Sequence, residues 1–409
     1  MNKFIEQPII KTNQELYIKL VIIIAPLFNF LSGINIDMYA PSMPSIAKYF
    51  SVSAILTKNT ISITILGMVI GCLIFGALID SLGRKNILFF GIFCYMIASF
   101  LAPWVPTITT LMVVRFVQGV MISTVTIGCR ALIIDNITGK RYAVAILYTA
   151  IAYGSGPIVG PFLGGIMQHY FGWQANFIAL GTIGGFLLVL LLLFIKESLP
   201  ERQSLQIIVI AKNYLRVLRH KQFIAGVIIC GLAQIELMLY PTLGPFIVEN
   251  TLRQSVLVYG NTALIVGAGY LSGALINRFL LHYFSAKEIC YFGCIGLILT
   301  LVIAYVFSIS FTFKLFAVII PILLICISVG FIFPNIMGTN LKQFPQNAGA
   351  AMAMQTTLLA LIATLGIFII NYFRIHQLLS LAFIYTALIS LQLIIFFFMY
   401  QKIFVMEEM

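Results

Sequence analysis

The chain has 409 residues, 61% of them hydrophobic and only 9% charged, with a formal net charge of +12. So apolar a composition excludes a water-soluble globule and implies a polytopic membrane protein. Nor does the positive excess call for nucleic acid, because no stretch is left over to fold into an aqueous domain that would present it.

Twelve stretches are long and apolar enough to cross a bilayer as helices: 18–40, 58–79, 87–104, 109–134, 142–167, 174–195, 222–247, 256–281, 288–309, 314–338, 348–372 and 378–400. The expected fold is all-α. Residues 1–195 form one six-helix bundle and 222–409 a second, joined by a basic cytoplasmic linker, 196–221, that carries six Lys or Arg. The first span, preceded by a polar segment, is itself too long for a signal-peptide h-region and has no small-residue cleavage site before its charged outer flank, so it is expected to stay uncleaved.

Within the first span Asp37 is the one charge between Leu20 and Lys48. An isolated carboxylate in hydrocarbon is costly and marks a functional position. The second span ends in Gly76-Ala77-Leu78-Ile79-Asp80, followed by Gly83, Arg84 and Lys85. The fourth carries Arg115 about six residues, or ~9 Å, below its outer end, and Arg130 and Asp135 near its inner end. Asp37 lies about three residues, or ~4.5 Å, below the outer end of its own span, so a long Arg115 side chain has the reach to meet it. Such a cation would favour ionised Asp37, while desolvation would favour the protonated acid. A fixed Asp37–Arg115 ion pair is the structural alternative.

The fifth span contains Gly156, Pro157, Gly160, Pro161, Gly164 and Gly165. A spacing of four puts Gly160 and Gly164 on one face, where a neighbouring backbone can approach closely, and the prolines invite a bend. In the seventh span Glu236 is again a lone acid. The eighth repeats the second: Gly273-Ala274-Leu275-Ile276-Asn277 follows its counterpart at an offset of 197 residues. The halves therefore read as duplicated, with Asp37 and Glu236 as expected counterparts, lying four and five residues before Pro41 and Pro241.

With the N-terminus assumed inside, the inner segments hold Lys3, Lys11, Arg84, Lys85, Lys140, Arg141, the six linker residues, Arg278, Lys287, Lys342 and Lys402; the outer ones hold Lys48, Lys58, Arg253, Lys314 and Arg374. This excess places both termini in the cytoplasm. All seven cysteines fall within spans, and the four histidines lie in or beside loops without ligand spacing, so neither a disulfide framework nor a metal site is expected. No cofactor is expected either.

Several of these residues carry a family resemblance. Gly76, Asp80, Gly83, Arg84 and Lys85 are similar to the G-x-x-x-D-x-x-G-[RK]-[RK] loop of the major facilitator superfamily, and Arg115 through Gly119 resembles its R-x-x-Q-G signature. The run from Gly154 to Gly165 resembles the antiporter motif. Asp37 through Pro44, Arg130-Ala131 with Asp135, and Gly172-Trp173 with Phe177 are similar to Bcr/CflA-type drug:proton antiporters within that superfamily. Ser81 and Gln174 depart from the pattern, which commonly has basic residues there.

The resemblance implies a major facilitator fold and a multi-pass protein of a bacterial inner membrane, expected to act as a monomer. It also implies proton-coupled, alternating-access export of small amphipathic organic molecules. A dedicated transporter of one metabolite, such as a siderophore or sugar derivative, is the alternative. Partners are then the small-molecule substrate, protons and the lipid bilayer. Asp37, Arg115 and Glu236 are the proton or substrate candidates. The cavity candidates are Asn35, Tyr39, Gln118, Tyr153, Gln234, Met238, Tyr240, Asn335 and Gln355, with Phe28, Tyr148, Met352 and Met354 as further aromatic and thioether groups. An inner gate is implied at Gly76, Asp80, Gly83, Arg84, Arg130 and Asp135, where Asp80 and Arg130 can meet at one level and Asp135 can face the helix start near Asn347. The fifth-span glycines and prolines are implied to prevent leak. No HExxH, GxSxG or GxxxxGK[ST] pattern is present, which argues against an enzyme and for transport driven by an ion gradient.

Overall fold

The structure, a computed structural model, describes residues 14–199, 214–344, 348–373, 375 and 377–400, without the side chains of Ala77, Asp80, Lys140, Ala143 or 348–350. The linker cations Arg202 and Lys212, together with Lys3, Lys11, Asn347, Arg374, His376 and Lys402, lie outside the described residues. The chain divides into two compact units, Met1–Leu205 and Gln206–Met409.

The first unit holds α1 (Gln14–Asp37), α2 (Ala54–Leu82), α3 (Arg84–Leu101), α4 (Ile108–Asn136), α5 and α6 (Trp173–Phe194). Here α5 consists of two helical pieces, Gly139–Gly154 and Gly156–Phe171, and a bend of 40° separates them. The second unit holds α7 (Lys221–Pro245), α8 (Val256–Leu280), α9 (Ala286–Ser310), α10 (Leu315–Lys342), α11 (Ala348–Ile370) and α12 (Leu378–Ile395). Eleven helices are long and apolar enough to cross a membrane, and twelve with the bent pair taken as one span. The protein is thus an all-α, polytopic membrane protein. The span foreseen over 142–167, where the prolines invite a bend, does bend: Pro157 donates no amide and the ladder breaks at Ser155, just ahead of it.

Helix starts follow the expected chemistry. Thr107 and Thr110 form a reciprocal capping box at α4, and Ser285 and Glu288 form another at α9. Gly83 (φ +103°) and Gly172 (φ +83°) open α3 and α6 in conformations that other residues rarely adopt. Large side chains such as Ile309, Phe398 and Trp104 are exposed, as surfaces facing lipid require.

The two units share one internal plan. In the first, α1 packs against α4, α5 and α6, while α2 lies on α4 and α3 on α4 and α6. In the second, α7 packs against α10, α11 and α12, while α8 lies on α10 and α9 on α10 and α12. Lipid tails are as apolar as leucine, so close backbone contact rather than expulsion of water must hold such helices together. Glycines provide it at matching places. A β-carbon on Gly71 of α2 would overlap the Val120 carbonyl of α4, and one on Gly273 of α8 would overlap the Ile327 carbonyl of α10.

Candidate functional site

The first unit places a buried guanidinium at the centre of a polar nest. Arg115 of α4 is fully buried. Its Nη1 donates to Gln118 Oε1 at 3.0 Å and points at the Asn35 carbonyl at 3.5 Å. Its carbon Cζ lies 4.5 Å from the centre of the Tyr39 ring and 5.8 Å from that of Phe177. Gln118 Nε2 in turn donates to Ser99 Oγ at 2.8 Å, Tyr95 OH donates to Asn35 Oδ1 at 2.8 Å, and Tyr39 OH is bonded to Thr60 Oγ1 at 2.8 Å. The aromatic faces supply the attraction that a carboxylate would otherwise give, because a ring presents its negative face to the cation. Arg115 Nε and Nη2 and Asn35 Nδ2 have no hydrogen-bond partner.

The anticipated Asp37–Arg115 ion pair is absent from this arrangement among the described residues. Asp37 closes α1 and turns to another neighbour. A β-carbon on Gly160 would sit 2.9 Å from Asp37 Cβ, one on Gly164 would overlap the Met38 carbonyl, and one on Gly156 would overlap the Gly33 backbone. Three glycines four residues apart thus seat the second piece of α5 against the stretch of α1 that carries the acid. Pro161 is buried beside them, as is Gly165, and Pro157 follows the break as the second residue of its helix. Asp37 is 2% exposed, and its Oδ1 has no hydrogen-bond partner.

In the second unit Glu236 of α7 is wholly buried, and neither carboxyl oxygen is hydrogen-bonded. Two other sequence candidates of this unit are engaged: Tyr240 OH is bonded to Thr262 Oγ1 at 2.5 Å, and Gln355 Nε2 points at the Met337 carbonyl at 3.4 Å. Asn335 Nδ2 donates to Asn277 Oδ1 at 2.8 Å. Phe28, Asn35, Tyr39, Gln118, Tyr240, Met354 and Gln355 are buried, Gln234, Met238 and Met352 are half-buried, and Tyr148 and Tyr153 are exposed.

Where α2 gives way to α3, Arg84 Nε meets Asp135 Oδ2 at 3.0 Å, and Nη1 donates to the Ile79 carbonyl at 2.8 Å, near the end of α2. A residue that the sequence did not single out completes the cluster. Glu197, just past α6, accepts from the Arg84 amide at 2.9 Å and the Lys85 amide at 3.1 Å, while Ser198 Oγ donates to Asp135 at 2.8 Å. An acid at a helix start satisfies amides that the helix leaves free and opposes the positive end of its dipole. Gly83 leaves it room: a β-carbon there would lie 2.6 Å from Glu197 Oε2. Gly76 is different, since a β-carbon on it meets nothing within 4 Å. Arg130 is half-buried, and the Asp80 side chain anticipated as its partner lies outside what the structure describes.

Twelve apolar spans in two alike units, with isolated charges inside them, define a membrane transporter. A profile of the Major Facilitator Superfamily matches residues 27–367, and the chain belongs to that family. The chain is 29% identical over 338 residues to the uncharacterized MFS-type transporter YdgK of Bacillus subtilis, covering 79% of this chain and 81% of that one. It is 25% identical over 254 residues to the chloramphenicol resistance protein CraA of Acinetobacter baumannii, covering 61% and 60%. Among solved structures it shares the fold of a D-xylose–proton symporter, with a TM-score of 0.77, 14% identity and coverage of 95% and 99%.

Proposed function

We propose that this transporter exports small amphipathic organic molecules in exchange for protons, as a monomer in a bacterial inner membrane with both termini in the cytoplasm. The Bcr/CflA-type antiporters are the subgroup it resembles. The observation that carries the reading is Asp37: a buried carboxyl with an unpartnered oxygen, no cation beside it among the described residues, and a glycine-lined helix pressed against its backbone. Without a paired cation, the acid is free to take up a proton when the cargo leaves and to lose it when cargo arrives. Arg115 polarises the same unit without neutralising that acid. The relative named as a chloramphenicol resistance protein supports an organic drug-like cargo.

Proteoliposomes with an imposed pH gradient test this, using a panel of cationic dyes and siderophores. Dye movement driven by the gradient and abolished in Asp37→Asn is the expected result. Gradient-driven transport intact in that variant overturns the assignment of the acid, whereas movement of a single metabolite and of no dye favours the dedicated transporter.

A further inference from the structure

The tyrosine–threonine bonds fix the register between the two units more firmly than the proline spacing does. Tyr39 bonds Thr60 across α1's outer end to α2, and Tyr240 bonds Thr262 from α7 to α8. Counting back four residues from each tyrosine matches Asn35 with Glu236, which corrects the expectation that Asp37 is the counterpart. The glycine contacts align the neighbouring helices: Gly67 lies on the Phe116 carbonyl and Gly269 on that of Leu323, while Gly71 lies on the Val120 carbonyl and Gly273 on that of Ile327, so Arg115 matches Ile322. Where the first unit buries an arginine near an asparagine, the second has a buried isoleucine in the arginine's place and a carboxyl in the asparagine's.

The titratable groups within electrostatic reach of Glu236 are Cys294 of α9, Cys326 of α10 and Tyr385 of α12, with Tyr270 of α8 in turn near Cys230 and Cys326. None is a cation. Both Glu236 oxygens and the Tyr385 hydroxyl lack hydrogen-bond partners, and all three are enclosed. An ionised, unpaired carboxylate in such surroundings costs several kcal/mol, far more than a neutral acid. A metal ion would require converging oxygen or thiolate ligands, and no such group of His, Cys, Asp or Glu is present among the described residues.

We propose that Glu236 is a second proton-binding site, housed within the second unit and separate from Asp37. It is occupied in the conformation described, and it releases its proton only when the helices around α7 repack. The part of this proposal that concerns transport rests on the proton-coupled reading; the occupancy of the site does not. Glu236 accordingly adds one proton to each cycle beyond the one assigned to Asp37.

Infrared spectra of the full chain in liposomes at neutral pH test the occupancy directly. A protonated-carboxyl C=O stretch that shifts with ¹³C-labelled glutamate, disappears in Glu236→Gln and persists in Asp37→Asn is expected. Because Gln has the shape of the neutral acid, the variant keeps the packing; the isotope shift makes the same point without any substitution. Proton-to-ethidium flux ratios in proteoliposomes test the coupling, and the ratio is expected to fall by one in Glu236→Gln. A spectrum unchanged by both the labelling and Glu236→Gln overturns the site, and an unchanged flux ratio overturns its part in the cycle. If ethidium does not move in the wild-type protein, the flux arm tests the proposed function instead, while the infrared result still decides the site.

Discussion

Replacing Gly164 by alanine tests the seam between α1 and α5, and the structure sets the size of the effect. The added β-carbon would overlap the Met38 carbonyl oxygen and lie 2.9 Å from its carbonyl carbon. Both are backbone atoms that cannot rotate aside, so the helices must part by about an ångström before the overlapped oxygen reaches an ordinary contact of about 3.3 Å. Parting them also loosens the contacts at Gly156 and Gly160. Overpacking of this kind costs about 1–3 kcal/mol, and for a unit of some 200 residues each kcal/mol lowers the melting temperature by about 2–4 °C. Gly154→Ala is the matched control, because a β-carbon there meets nothing within 4 Å. Thermal unfolding of both variants in detergent should show Gly164→Ala melting several degrees below the wild type and Gly154→Ala at or slightly above it. Equal melting of the two would refute the seam.

Three further outcomes follow from the same geometry. Glu197→Ala leaves two α3 amides uncapped at a cost of about 1 kcal/mol, so hydrogen exchange at Arg84 and Lys85 should quicken roughly fivefold; unchanged exchange would deny Glu197 its role. Arg115→Lys keeps the charge but loses the flat face held against Tyr39 and the fork that reaches Gln118. A drop in stability of about 1–2 kcal/mol is expected in chemical unfolding, against none if charge alone mattered. Tyr39→Phe and Tyr240→Phe each remove one buried hydrogen bond, about 1 kcal/mol, and should destabilise the protein to similar extents if the two units are built alike.

How much was legible in the sequence differs from residue to residue. The R-x-x-Q spacing put Arg115 and Gln118 one turn apart, and they are bonded side by side. The four-residue glycine spacing on α5 announced a close helix contact, though not that α1 would supply the other side. Arg115's real partners could not be read, because a ring facing a cation leaves no charge pattern: Tyr39 and Phe177 are 76 and 62 residues distant along the chain. Glu197 was counted only as part of a basic linker, and its 113-residue separation from Arg84 hid the cap. The match of Glu236 to Asn35 was obscured because prolines near both acids offered a plausible but shifted alignment, which only the tyrosine hydroxyls resolve.

The break in α5 has a mechanical consequence. Its second piece is clamped by glycine teeth to α1, while a β-carbon on Gly154, at the joint, would meet nothing within 4 Å. The first piece is fastened to the same helix, since Asn29 Nδ2 donates to the Thr149 carbonyl at 2.9 Å and a β-carbon on Gly33 would overlap the Tyr153 carbonyl. A change of direction at Ser155 therefore has to carry α1 with it, which ties the hinge of one helix to the segment that bears Asp37.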